Sequence, residues 1–370
     1  MAIRFLHTAD LQIGKGFGQF PPDVARVLRT QRLEAVKRIG ALARERKVDA
    51  VLIAGDCFDD VAVGDDTLRR FKVALESFTG PWVLLPGNHD PAIAESPWSR
   101  LRRLPLPANI IIADEPKPIK MGDNAVILPA PLRRRRDVAD LTEWFDTEPT
   151  DDNLIRIGLA HGSVREILPE GSEAANPIAR NRADRARLDY LALGDWHGRF
   201  KISERAWYSG APEPDRFRAN ESGFVLDVTI EHHGSVPRIE IIPTAAYRWI
   251  ERLIEIVPGG ADGIRSALGA AEADFECLLL RLKLEGTTDL ATRVAVAEEL
   301  EDIRSRVFYL EAHESGLTLQ PTQDDLDAID TAGFVRIAMN RLREKLGGPE
   351  ADNARRALAL LYGLHHRSGS

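Results

Sequence analysis

Cysteine is nearly absent: Cys57 and Cys277 are the only two in 370 residues. Two such residues cannot make a disulfide framework, and their scarcity fits a reducing cytoplasm. No apolar run approaches the ~20 residues a membrane helix needs, so no membrane association is expected. A basic stretch followed by an apolar one is also missing from the N-terminus, which enters a strand pattern at Ile3-Arg-Phe-Leu. No signal peptide is therefore expected. Internal repeats and low-complexity segments are lacking too. The net charge is only −8, which speaks against wholesale coating of nucleic acid. From residue 246 onward 15 Lys and Arg face 21 Asp and Glu, whereas residues 1–245 hold 34 against 36. A local basic patch is compatible with that first part.

What is present reads as a globular protein, with 44% hydrophobic and 29% charged residues. The length suggests two or three domains. Residues 2–9, 48–54 and 82–85 are apolar runs of strand type, and 23–46 and 65–79 carry helical spacing. The first ~90 residues thus read β-α-β-α-β, a parallel sheet with crossover helices. Further strand-like runs at 110–113, 125–128, 155–160, 188–193, 224–230 and 238–242 suggest a second sheet packed on the first. The texture changes near Pro243. Residues 246–322 show one clear strand, Cys277 to Leu284, between helical stretches at 261–272 and 289–305. Two amphipathic helices follow, over 323–346 and 350–366, split by Gly347-Gly-Pro349. The expected fold class is α/β: two packed mixed β-sheets flanked by helices over 1–245, a small α/β capping domain over 246–322, and a C-terminal helical segment over 323–370.

Five polar clusters each follow an apolar run, in one order along the first ~200 residues. They are His7-Thr-Ala-Asp10-Leu-Gln12, Gly55-Asp56-Cys-Phe-Asp59, Gly87-Asn88-His89-Asp90, His161-Gly162 and Gly194-Asp195-Trp-His197. All fall at the carboxyl ends of expected strands, where open α/β sheets hold their ligands. Oxygen and imidazole donors converging there suit a pair of divalent cations such as Mn²⁺, the apparatus for in-line attack on phosphorus. Asp56 has two carboxylate oxygens and can bridge both ions; an isolated Gly-Asp would instead read as a helix cap. Asn88 reads as a ligand. His89 reads as an unligated imidazole facing the leaving oxygen, with Asp59 orienting it. His161 reads as a ligand at a strand end. If the chain is still extended there, Asp195 and His197, two residues apart, point to one side. His7 reads as support for its motif.

Together these positions resemble the calcineurin-like metallophosphoesterase superfamily and, within it, the SbcD family of bacterial DNA-repair nucleases. The stretches Ala54-Gly-Asp-Cys-Phe-Asp59, Leu191-Ala-Leu-Gly194 and Tyr208-Ser-Gly-Ala-Pro212 carry the likeness alongside the first motif. The resemblance implies one metal held by Asp10, Gln12, Asp56 and His197, and a second held by Asp56, Asn88, His161 and Asp195. Two positions depart from the family pattern, which places His where Gln12 and Asp195 stand. Oxygen in place of imidazole nitrogen favours harder ions, Mn²⁺ or Mg²⁺ over Zn²⁺.

The expectation is a Mn²⁺-dependent DNA nuclease subunit, cytoplasmic and homodimeric. Its C-terminal helices would dock an SbcC-type coiled-coil ATPase. Arg133 and Arg134, in the run Arg133-Arg-Arg-Arg136, are candidate phosphate contacts, with a solvated loop as the alternative. Tyr208 and Ser209 are candidates for the substrate groove, and Trp196 for a substrate platform or core packing. Arg180, Arg182, Arg185 and Arg187 read as a solvated helix face. Two rival functions remain: a phosphodiesterase or phosphatase on nucleotides or small phosphoesters, and a DNA-binding scaffold with a weakened metal site.

Overall fold

The computed structural model describes residues 2–165, 175–218, 220–260, 263–268, 275–320, 322 and 334–368. The chain divides into two compact units, Met1–Asp215 with Ala219–Ala246, and Arg216–Arg218 with Tyr247–Ser370.

The first unit holds two six-stranded mixed sheets. One is built from β1 (Ile3–Thr8), β2 (Ala50–Ile53), β3 (Trp82–Leu84) and β4 (Ile110–Ile112), all parallel. Two antiparallel strands, β13 (Phe224–Ile230) and β14 (Arg238–Pro243), extend it beside β1. The other has the parallel strands β6 (Ala125–Ala130), β7 (Ile155–His161), β10 (Tyr190–Gly194) and β12 (Ala206–Tyr208). Antiparallel β5 (Ile119–Met121) and β11 (Phe200–Ser203) form its two edges. A two-stranded pair, β8 (Ser163–Val164) and β9 (Pro177–Ile178), lies apart.

Side-chain alternation explains why the strands read as continuous apolar runs. Phe5, Leu52 and Val83 pack against Ile127, Ile157, Leu159 and Ala192 between the sheets. Their neighbours Leu6, Val51, Ile53 and Leu84 face the helices. Those helices are α1 (Pro22–Arg46), α2 (Asp65–Leu75) and α3 (Pro97–Arg102). Proline starts α1, and Lys47 in the left-handed region ends it. The second sheet covers its outer face with Phe145, Ala183, Ala186 and Leu188.

One reading is corrected here. Arg182, on the short helix α4 (Arg182–Arg185), is fully buried rather than solvated; it donates to Asp140 at 2.7 Å and Asp146 at 2.6 Å. A buried cation needs such partners, and sequence spacing does not reveal them.

In the second unit three strands run parallel: β15 (Arg248–Ile256), β16 (Leu278–Thr288) and β17 (Tyr309–Leu319). Only the central one was legible, because β15 and β17 carry many polar residues and are half-exposed. Helices α5 (Gly263–Leu268) and α6 (Leu290–Arg306) pack through Ile264, Leu268, Val296, Leu300 and Ile303. Two further helices span Phe334–Glu344 and Ala351–Ser368. The expected helical stretches over 269–272 and 323–333 lie outside the described residues. Among the described residues no helix is long and apolar enough to cross a membrane.

Phe58 sits at the junction of core and motif loops, its ring centroid 5.0 Å from Phe71 and 5.3 Å from Trp98. Phe58→Ala should cost the first unit about 3–5 kcal/mol, read as a lower urea midpoint. Val73→Ala on the exposed face of α2 should stay within about 0.5 kcal/mol of the parent.

Candidate metal centre

The five motifs do converge, at the carboxyl ends of β1, β2, β3, β7 and β10. The loop after β1 runs along the loop after β2: Asp10 N–H donates to the Gly55 carbonyl at 3.1 Å, Gln12 N–H to that of Asp56 at 3.0 Å, and Ile13 N–H to that of Cys57 at 2.9 Å. The zippering requires unusual backbone. Asp10, Gln12 and Asp56 have φ of 54°, 49° and 51°, and Asp195 has 102°. Non-glycine residues at positive φ cost about 1–3 kcal/mol each and cluster where function demands them. Gly55, at φ 92°, faces His161 so closely that a Cβ would lie 2.1 Å from its Nδ1.

Asp10, Asp56 and His161 each offer a ligand atom, all within 4.8 Å of one another, and all three are buried. His161 Nε2 lies 3.0 Å from Asn88 Oδ1, 3.5 Å from Asp56 Oδ1 and 3.7 Å from Asp195 Oδ1. Asp56 Oδ1 also accepts the His89 N–H at 2.9 Å. Its Oδ2 accepts from Gln12 Nε2 at 2.8 Å. Asp195 N–H points at both Asp10 oxygens, at 3.3 and 3.4 Å, and its own carboxylate accepts from Ser163 Oγ at 2.8 Å. His197 Nε2 stands 3.9 Å from Asp10 Oδ1.

This donor set fits divalent cations on three counts. His161 Nδ1 is taken by the Ala54 carbonyl at 2.8 Å, which leaves Nε2 to face oxygens that are all acceptors. Gln12 Oε1 is buried with no hydrogen-bond partner, an amide oxygen available to an ion. The carboxylates repel one another out of water. Burial opposes the charged form of His161, but Asp56, Asp10 and Asp195 outweigh it and raise its pKa to about 9. Burial raises Asp10 to about 6 against the pull of His197 and His161.

A family model for calcineurin-like phosphoesterases matches residues 3–226. The chain belongs to the calcineurin-like phosphoesterase family. Members are metal-dependent hydrolases of phosphoesters, and this one is such an enzyme. The SbcD subunit of the nuclease SbcCD from Rhodobacter capsulatus is 26% identical over 278 residues, 62% of this chain and 66% of that protein. Its counterpart in Escherichia coli K12 is 24% identical over 277 residues, 64% of this chain and 67% of that protein. The match thus spans just under two thirds of the first relative's length. Purple acid phosphatase from yellow lupin seeds superposes with a TM-score of 0.43 at 15% identity, over 66% of this chain and 52% of that one.

The other predicted residues of this phosphoesterase are placed as follows. His89 is half-exposed, with Nε2 3.9 Å from Asp56 Oδ2. Its Nδ1 meets the Asp59 main-chain carbonyl at 2.8 Å, so the Asp59 carboxylate does not hold the ring; that carboxylate pairs with Lys15 at 3.2 Å. Arg133 and Arg134 are exposed, and Arg134 donates to Asp137 at 2.8 Å. Their loop is tied to the third motif, because Leu132 N–H donates to the Pro86 carbonyl. Tyr208 and Ser209 are corrected: both are buried. The Tyr208 hydroxyl donates to the Gly162 carbonyl at 2.7 Å and accepts from Val164 N–H at 2.9 Å, so it shapes the His161 loop and reaches no groove. His7 is also buried, held at about pKa 3 by desolvation, and joins β1 to β10 through Tyr190 and the Leu193 carbonyl.

Sequence reasoning missed Asp215 and Arg32. Asp215 Oδ2 meets His197 Nδ1 at 3.1 Å, fixing the ring so that Nε2 faces the cluster. Buried Arg32 donates to the carbonyls of Leu11, Glu213 and Pro214, pinning the loop that carries Asp215. Its signal was readable: an arginine amid Leu28, Val36 and Ile39 on the apolar face of α1.

Asp215→Asn should weaken divalent-cation binding about 10–100-fold in calorimetry, with the melting profile of the first unit retained. Proton competition gives a second expectation. Below about 9 His161 holds a proton that an entering cation must displace, and below about 6 Asp10 holds another. Divalent-cation affinity should therefore rise with pH across that interval, with buffer-dependent heats reporting proton release. A flat profile would contradict it.

Proposed function

We propose that this phosphoesterase is a Mn²⁺-dependent DNA nuclease subunit that hydrolyses phosphodiester bonds in DNA repair. The observation that carries the reading is the buried Asp10–Asp56–His161 cluster, on a chain whose relatives are named as SbcD subunits of a nuclease. Cations bound there would polarise the phosphoryl oxygens and neutralise the charge that builds on them.

The remaining steps belong to the chain's own side chains. Asp10, Gln12, Asp56 and His197 would hold one ion, and Asp56, Asn88, His161 and Asp195 the other. His161 and His197 present Nε2 inward because Ala54 and Asp215 occupy their Nδ1 atoms. His89, held through Nδ1 and its own N–H, keeps Nε2 3.9 Å from Asp56 Oδ2, where as an imidazolium it would give the Nε2 proton to the departing oxygen. Mg²⁺ is the alternative ion. Arg133 and Arg134 would hold the DNA backbone without sequence choice.

The proposal extends to partners. The helices Phe334–Glu344 and Ala351–Ser368 would dock the coiled coil of an SbcC-type ATPase; Leu360 and Leu364 on the second are 69% and 64% exposed. The working form would be a cytoplasmic homodimer. The domain limits proposed are 1–245 for the catalytic core, 246–322 for the cap and 323–370 for docking.

Linear DNA incubated with the purified chain in Mn²⁺, Mg²⁺ or chelator tests the reading. Cleavage should require Mn²⁺ or Mg²⁺ and disappear in Asp56→Asn. His89→Ala should lower it about 10²–10⁴-fold while Mn²⁺ affinity stays at the parent value. Unchanged cleavage by His89→Ala would overturn its role. Hydrolysis of an aryl phosphodiester with no action on DNA would favour a small-substrate phosphodiesterase.

A further inference from the structure

The Asp59 carboxylate belongs to the second motif, yet it is the main-chain carbonyl of that residue that holds His89. The carboxylate instead accepts from Lys15 Nζ, through Oδ1 at 3.2 Å. The same ammonium lies 3.4 Å from Asp215 Oδ2. That oxygen also meets His197 Nδ1, at 3.1 Å. Three loops therefore meet at one cation. The loop after β1 supplies Lys15, the loop after β2 supplies Asp59, and the segment after β12 supplies Asp215.

This contact differs from the ordinary lysine pairs of the chain. Lys37, Lys72 and Lys201 pair with carboxylates three or four residues away. Such pairs follow from local spacing and contribute little. The Asp59 partner of Lys15 is 44 residues away, and the Asp215 side chain is only 3% exposed. A buried carboxylate needs opposite charge close by. Arg32 fixes the main chain before Asp215, at the Glu213 and Pro214 carbonyls, and Lys15 stands at the carboxylate itself. An ammonium carries three donors and no acceptor, so one can serve two carboxylates at once.

The main chain around Lys15 is tied on both sides. Lys15 N–H donates to the Gln12 carbonyl at 3.2 Å, Asp59 N–H to that of Ile13 at 3.0 Å, and Arg29 Nη1 to that of Gly16 at 2.9 Å. Gly14, at φ 97°, makes the turn, and a Cβ there would lie 2.8 Å from Val63 Cγ2.

We propose that Lys15 is a positioning residue of the metal centre: anchored on the Asp59 carboxylate, it holds Asp215 against His197 and keeps His197 Nε2 turned toward Asp10. The inference rests on the reading of His197 as a metal ligand and not on the identity of the substrate. Without the ammonium the two carboxylates have no such tie, and the His197 ring loses its fixed orientation. The second-motif carboxylate thus serves the imidazole of the fifth motif rather than His89.

A plain charge effect has the opposite sign. Removing a positive group near a divalent-cation site favours ion binding, whereas removing a positioning group weakens it. Calorimetry of Mn²⁺ binding to the full chain, with no substrate present, separates the two. Lys15→Met should weaken Mn²⁺ binding about tenfold, with thermal unfolding unchanged. In an Asp215→Asn background the same substitution should cause no further loss, because the lysine acts through that carboxylate. Asp59→Asn should weaken binding in the parent and add no loss to Lys15→Met. Unchanged or tighter binding by Lys15→Met overturns the inference, as does an equal loss in both backgrounds. His197→Ala keeps the two readings apart. If it leaves Mn²⁺ affinity unchanged, the ligand reading fails and this inference with it. If it weakens binding while Lys15→Met does not, the inference alone fails.

Discussion

Carboxylates gathered away from water repel one another unless a cation stands among them, and this chain gathers them at one point. Asp10 and Asp56 are almost completely buried beside His161, with Asp195 at 3.7 Å from the same imidazole nitrogen. Much of the surrounding structure follows from that constraint. Four of the donors sit on backbone at positive φ, because only such loops turn their side chains back over the strand ends. Gly55 and Gly194 lack side chains where the His161 ring and the Ala54 carbonyl press against the backbone. The parallel core of the first sheet anchors the strands so that these loops need no stability of their own.

Around the donors stands a shell that decides what each can do. The Ala54 carbonyl and Asp215 occupy the inner nitrogens of His161 and His197 and so select the nitrogen that faces the cluster. Asp90, buried and held well above the usual carboxylate range by desolvation and by Asp56, accepts the amides of Gly87 and Phe58 and staples the second motif loop to the third. His7, Tyr190 and Leu193 link the two sheets beneath the site. His89 alone of the imidazoles in the motifs is half-exposed, which suits a group that meets substrate rather than metal. Gln12 and Asp195 fit this arrangement as donors. One has a buried amide oxygen with no partner, and the other has a carboxylate held by Ser163.

The first unit was legible because its physics is local. Strands buried on both faces must be apolar along their length, and polar residues at their carboxyl ends then stand out against them. The second unit was less legible. Its outer strands, β15 and β17, mix charged and apolar residues without a sustained two-residue period and resemble surface helix or loop in isolation, so only β16 showed. Tyr208 was misread for a related reason. A tyrosine after the last motif looks like a groove residue until its hydroxyl is seen between Gly162 and Val164. Arg182 was misread likewise, since its partners Asp140 and Asp146 lie about forty residues away in the chain.

Sequence alone determined which side chains are candidate ligands, their order, and the strands whose ends carry them. Each of those depends on residue type and on spacing within a few positions. Tertiary structure decided which ring nitrogen faces inward, that a main-chain carbonyl rather than the Asp59 side chain holds His89, and that Asp215 and Arg32 belong to the site. Those outcomes depend on contacts between residues far apart in the chain, Asp10 with Asp195 and Arg32 with Glu213 among them. No local pattern encodes such contacts, because they exist only once the two sheets have packed.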